Sequence, residues 1–217
     1  MSTLLHKYYA APPVSREEIW RYAGVKEPTA ELNALLEECL ALAERELCFR
    51  VCWTEEAELP FGGEKFADLE EHLRGCGSVI VFAATVGGGL DRLIAREQLL
   101  SPAKAVLLSA IGAERVEALC DSFCADAETE AARRGLYPRP RFSPGYGDLP
   151  LRTQRDMFRV LDLTRTMGMT LNESFLMYPS KSVTAIIGLS REKGRAERCD
   201  HVCGSCTEKT CIFRGKR

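Results

Sequence analysis

The sequence predicts an α+β body, a mixed or antiparallel twisted sheet with flanking helices, carrying a basic cysteine-rich tail. Three observations lead there. Residues 78–85 (Ser-Val-Ile-Val-Phe-Ala-Ala-Thr) are almost continuously apolar and β-rich, the pattern of a central strand covered on both faces. Residues 28–47 and 101–134 repeat apolar side chains at intervals of three and four, as amphipathic helices do. From residue 191 onward apolar content collapses, and eight Lys or Arg stand against four Asp or Glu. The body is therefore assigned to residues 1–190, with 1–50 as a helical lead-in, and the tail to 191–217.

Composition narrows the classes. The 217 residues are 46% hydrophobic and 28% charged, an ordinary globular balance that excludes a disordered or fibrous chain. A net charge of -2 gives no global basic field for nucleic acid. No apolar run reaches the length of a membrane span, and the first residues hold no apolar signal core, so the expected setting is cytoplasmic, without a membrane partner.

Taken in order, Ser15 with Glu18 is a capping-box pattern opening a short helix through Ile19 and Trp20 that Gly24 ends. A longer helix follows Pro28, with Leu32, Leu36, Cys39 and Ala43 on its inner side. Residues 47–53 alternate as a half-buried strand, and 66–73 read as a short helix. After the central strand, Gly87-Gly88-Gly89 breaks the chain before a helix over 90–100. The order resembles a dinucleotide turn, but the spacing is not G-x-G-x-x-G, and a turn needing positive φ is the better reading. Ser101-Pro102 starts the next helix, or pair of helices, with Leu107, Leu108, Ile111, Val116, Leu119, Phe123 and Ala127 inside and Gly135 ending it. Residues 136–150 hold four prolines and two glycines, which no regular element tolerates. A helix over 153–167 and strands over 169–177 and 182–189 complete the body.

The loop carries the chemistry of recognition. Arg139 and Arg141 offer planar guanidinium forks suited to a carboxylate or phosphate. Beside them, Ser143-Pro144-Gly145-Tyr146 offers backbone groups stiffened by proline and an aromatic ring, a set suited to a small zwitterion bearing a flat heterocycle. The alternative is a stiff surface connection with arginines in water. Glu173, in alternation with Phe175, falls on an apolar face if residues 169–177 form a one-sided strand, and there it needs a partner such as Arg141 or a bound cation. His6, His72 and His201 form no visible catalytic grouping.

The tail is the sharpest purely chemical signal. Cys199, Cys203, Cys206 and Cys211 lie within thirteen residues, enough to wrap a tetrahedral zinc or an iron–sulfur cluster, with disulfides and unpaired thiols as the alternatives.

Arg141-Phe142-Ser143-Pro144-Gly145-Tyr146, followed by Gly168-Met169-Thr170-Leu171-Asn172-Glu173-Ser174-Phe175 and then Met177, Pro179 and Lys181-Ser182-Val183, resembles the activation domain of cobalamin-dependent methionine synthase, specifically its small free-standing relatives. The resemblance covers about residues 141–188. It implies that family's fold, binding of S-adenosylmethionine, and support of the reductive remethylation of a cobalamin that has slipped to an inactive state. The cobalamin would reside on a partner methyltransferase subunit, and a flavodoxin-like or other electron donor would supply one electron. By resemblance Arg141 binds the ligand carboxylate, Ser143 offers a backbone carbonyl, Gly145 and Tyr146 line the adenosine side, and an acid before the loop falls near Glu130. The tail is foreign to the large synthase. The competing reading is a metal or iron–sulfur redox or assembly subunit of a corrinoid methyltransferase system that does not bind S-adenosylmethionine.

Overall fold

The computed structural model describes residues 3–193. The first half runs β1 (Leu5–Tyr8), α1 (Arg16–Ala23), α2 (Ala30–Glu44), β2 (Arg50–Glu56), α3 (Ala67–His72), β3 (Cys76–Thr85) and α4 (Gly89–Leu100). The second runs α5 (Pro102–Arg133), β4 (Tyr137–Pro138), α6 (Gln154–Leu161), α7 (Leu163–Met167), β5 (Thr170–Leu171), β6 (Met177–Tyr178) and β7 (Ser182–Ser190).

The expected central strand is central. β3 lies between β2 and β7, and the five strands order as β1-β2-β3-β7-β4, every pairing antiparallel. Alternation along β3 splits the core in two. Ile80, Phe82 and Ala84 face α1, α2, α4 and α5, where Ile19, Leu36, Leu108 and Leu119 are fully buried. Val79, Val81 and Ala83 face α3, α6 and α7, against Leu69, Met157 and Leu161. A strand with a core on each face needs an unbroken apolar run, which is why it was legible.

Local chemistry sets the helix ends. Ser15 Oγ accepts from Glu18 N (3.3 Å), and Gly24 closes α1 at φ +73°. Thr29 Oγ1 caps α2 through Leu32 N (3.3 Å). α5 is one helix of 32 residues, not a pair, and all seven side chains expected on its inner stripe are buried. Arg115, 2% exposed, straps the N-terminal arm to it, donating to the carbonyls of Pro12 (2.6 Å) and Pro13 (2.7 Å) and pairing with Glu114. Glu114 in turn accepts from Ser15 N (2.9 Å).

Three expectations are corrected. The lead-in is not wholly helical, because β1 adds an exposed edge strand to β2, and its helices share the main core. The helix expected over 153–167 breaks at Asp162 (φ +45°), giving α6 and α7. Residues 169–177 are not one strand: β5 and β6 are two residues each, and Asn172 organises the turn between them. Its carbonyl accepts from Phe175 N (3.0 Å) and its Oδ1 from Leu176 N (2.9 Å). No helix among the described residues is long and apolar enough to cross a membrane.

Candidate functional site

Beyond Pro138, Phe142 exchanges both backbone hydrogen bonds with Ile186 of β7 (2.9 and 2.8 Å), fixing the chain as it enters the loop. This projects Arg141 onto α5. There Glu117, Cys120, Asp121 and Cys124 stand at i, i+3, i+4 and i+7, one stripe of the helix. Arg141 Nη2 donates to Glu117 Oε2 (2.6 Å) and lies 3.2 Å from Asp121 Oδ1, while Nη1 is buried without a hydrogen-bond partner. Burial opposes the charge on Arg141, but the Cys120 and Cys124 thiolates that form at high pH and the Glu117 and Asp121 carboxylates more than offset this and hold the guanidinium above its ordinary range. Burial pushes the Cys124 thiol up to about 11, against the pull of Arg141, and raises Cys120 further still. Both thiols stay protonated at physiological pH.

The loop beyond is built from interlocking turns. Ser143 O accepts from Tyr146 N (3.1 Å), Gly145 N donates to Leu149 O (2.8 Å), and Leu149 N to Tyr146 O (3.0 Å). Gly145 sits at φ +95°, a conformation that favours glycine, and Tyr146 is 64% exposed. A 3₁₀ turn (Leu151–Thr153) leads into α6 and joins this loop to the β5–β6 hairpin, since Leu151 lies against Gly145 while Arg155 stacks over the Phe175 ring (4.7 Å).

The sequence-predicted residues divide accordingly. Ser143, Gly145 and Tyr146 share one set of turns, while the Arg141 side chain that precedes them reaches α5. Arg139 turns away: its backbone N donates to Gly188 O (2.8 Å) and its guanidinium reaches Arg74 O (3.4 Å). Glu130 does not join Arg141; it is exposed, pairs with Arg133 (3.1 Å), and lies nine residues past Asp121, about 13 Å along the axis. Glu173 is exposed in the hairpin turn and not on an apolar face, so the buried-acid requirement disappears. The acids that sequence reasoning missed are Glu117 and Asp121. Their sequence signal is i, i+4 spacing beside two cysteines.

His72 Nε2 donates to Pro140 O (2.6 Å) and its ring packs on Phe142, a support for the loop from beneath. Gly87 (φ +85°) makes the expected strand-to-helix turn, its N–H donating to Thr85 Oγ1 (3.2 Å), and a Cβ at Gly89 would meet the Glu46 carbonyl oxygen at 2.6 Å. Close packing explains these glycines. Cys199, Cys203, Cys206 and Cys211 lie outside the described residues, as does His201. Among the described residues no group of three or more His, Cys, Asp or Glu is placed to hold a metal.

Comparison with known proteins adds two findings. Residues 79–196 match the family model described as vitamin B12 dependent methionine synthase, activation domain. The fold is similar to a crystal structure of the MetH reactivation domain bound to AdoHcy, with a TM-score of 0.62 at 15% identity over 89% of this chain and 80% of that one. No curated protein matches by sequence.

Proposed function

The chain belongs to the activation-domain family of vitamin B12-dependent methionine synthase, and from that premise we propose that it binds S-adenosylmethionine at Arg141 and residues 143–146. In this reading it serves a cobalamin-binding methyltransferase subunit, in the cytoplasm, during reductive remethylation. The observation that carries the reading is the Arg141–Glu117–Asp121 cluster on α5. It sets a permanent cation beside two carboxylates at the point where the chain enters the loop.

The residues present fit the ligand. Its amino-acid portion is a zwitterion. A carboxylate would take up the unpartnered Nη1 of Arg141 once the guanidinium turns outward, and an ammonium group would sit against Glu117 and Asp121. The Ser143 carbonyl, one lone pair of which takes Tyr146 N, keeps a second for the ligand, Gly145 holds the turn, and Tyr146 offers a ring for stacking. The bound ligand would supply an activated methyl group; the protein's work is to hold and orient it, chiefly a positioning task. No general base is required, consistent with His72 being committed to Pro140. Exposed Leu176 and Tyr178 on the β5–β6 hairpin, and exposed Tyr146 on the loop, leave apolar surface for a partner. The electron would come from a flavodoxin-like or equivalent donor.

Calorimetric titration of S-adenosylmethionine into the purified chain tests the pocket: saturable binding is expected, and none in folded protein would reject it. Restored methyl transfer by a candidate cobalamin subunit, given the chain, S-adenosylmethionine and a reductant, tests the role. On spacing alone, Cys199, Cys203, Cys206 and Cys211 stand as proposed ligands of a zinc or iron–sulfur centre. Metal analysis and a visible spectrum of anaerobically purified protein decide between them.

A further inference from the structure

A groove of about 330 Å³ opens elsewhere on α5, lined by Tyr22 of α1, by Val106, Ser109, Ala110 and Ala113, and by Lys181 from the turn before β7. Its lysine end at Ser109 lies two turns before Glu117, about 12 Å along the helix, while its other end, at Ala113 and Tyr22, borders the arginine cluster through Glu117.

Lys181 is held as a ligand-binding side chain is held. Its carbonyl accepts from Val86 N (3.2 Å). Its neighbours are pinned too: Ser180 N donates to Asp91 Oδ2 (2.9 Å), and Ser182 Oγ bonds Thr85 Oγ1 and Pro179 O (both 2.8 Å). The aliphatic stem crosses α5 at Gly112, where a Cβ would stand 2.8 Å from Lys181 Cγ and 2.6 Å from Leu90 Cδ2. That glycine is a notch for the lysine. The ammonium group emerges at the groove and donates to Ser109 Oγ (2.9 Å). An ammonium group has three donors, and no carboxylate among the described residues forms an ion pair with this one. Asp91 is engaged by Ser180 instead. Burial lowers the Lys181 pKa, with Asp91 opposing from a distance, as expected for a cation lacking a counter-ion.

We propose that this groove is a binding site for a small organic carboxylate, its oxygens on Lys181 Nζ and Ser109 and its apolar body against Tyr22, Ala110 and Ala113. Two convergent donors on one side and an apolar shoulder on the other suit a planar carboxylate. A more strongly hydrated phosphate would find too few donors. Fixing the lysine beforehand lowers the ordering cost of binding.

The test uses benzoate as the probe, with acetate and inorganic phosphate as comparisons, on the full chain with its alanine methyl groups ¹³C-labelled. Benzoate is expected to shift the Ala110 and Ala113 signals saturably and to bind at least about tenfold more tightly than acetate or phosphate. Lys181→Met is expected to weaken benzoate about tenfold or more, read from the Ala110 and Ala113 methyl signals, and Ser109→Ala to weaken it in a background that keeps the lysine. No saturable shift with benzoate, an unchanged affinity in Lys181→Met, or phosphate binding as tightly as benzoate would each overturn the assignment.

Discussion

Replacing Arg141 by Met keeps an unbranched apolar stem and removes the guanidinium with its charge, so it isolates what that group does. In the folded protein Arg141 contacts Glu117 at 2.6 Å and Asp121 at 3.2 Å, and these acids are 40% and 73% exposed. Solvent therefore stabilises both carboxylates once the arginine is gone. The loss of stability should be about 1–2 kcal/mol, below the ~3–5 kcal/mol of a fully buried pair. Affinity suffers more. A charge-assisted hydrogen bond to a ligand carboxylate contributes about 1.5–3 kcal/mol, a factor of about 10–150 in Kd. The discriminating assay compares S-adenosylmethionine with its decarboxylated analogue. The native chain should prefer the carboxylate-bearing ligand by about that factor, and Arg141→Met should bind both alike. A folded Arg141→Met protein that keeps the preference would refute the placement of the carboxylate on Arg141.

Other consequences are measurable without ligand. Arg115→Met strands the buried Glu114 carboxylate and frees the arm at Pro12 and Pro13; denaturant unfolding should show a loss of about 3–5 kcal/mol. The Arg134 guanidinium, with Ser78 assisting and burial opposing, holds the Glu55 carboxyl below its ordinary range. Its contribution is complete above about pH 4.3 and lost as pH falls through the lowered value, so Glu55→Gln should flatten the acid limb of the stability profile only below that point. Burial raises the thiols of Cys39 and Cys52 to about 11, while Cys48 is exposed. Iodoacetamide at neutral pH, read by peptide mass mapping, should therefore alkylate Cys48 well before Cys39, Cys52 or Cys120.

Elements with a buried face were legible in the sequence, because burial writes a period into the chain. β3, β7 and α5 are of that kind, and so is α1, whose Ser15 cap and Gly24 stop are both local chemistry. β1 has no buried residue, and β4 is two residues long, one of them Pro138, so neither leaves a pattern to read. The Asp162 break was hidden because the residues on both sides of it keep helical apolar spacing into the same core, Met157 and Leu161 before it and Leu163 and Met167 after. The loop residues of the site were legible from composition and resemblance. Glu117 and Asp121 were not, because an acid pair on a helix has the same spacing whether it faces water or an arginine arriving from a distant loop.

The unbroken helix α5 also sets a rule for variation. The two candidate sites and the strap on the arm all ride on it, separated by peptide rise alone. Adding or deleting one residue between Ser109 and Glu117 would turn everything downstream by about 100° and send the acids away from Arg141. Homologous chains should thus differ freely in their connecting loops while keeping the residue count of this rod unchanged.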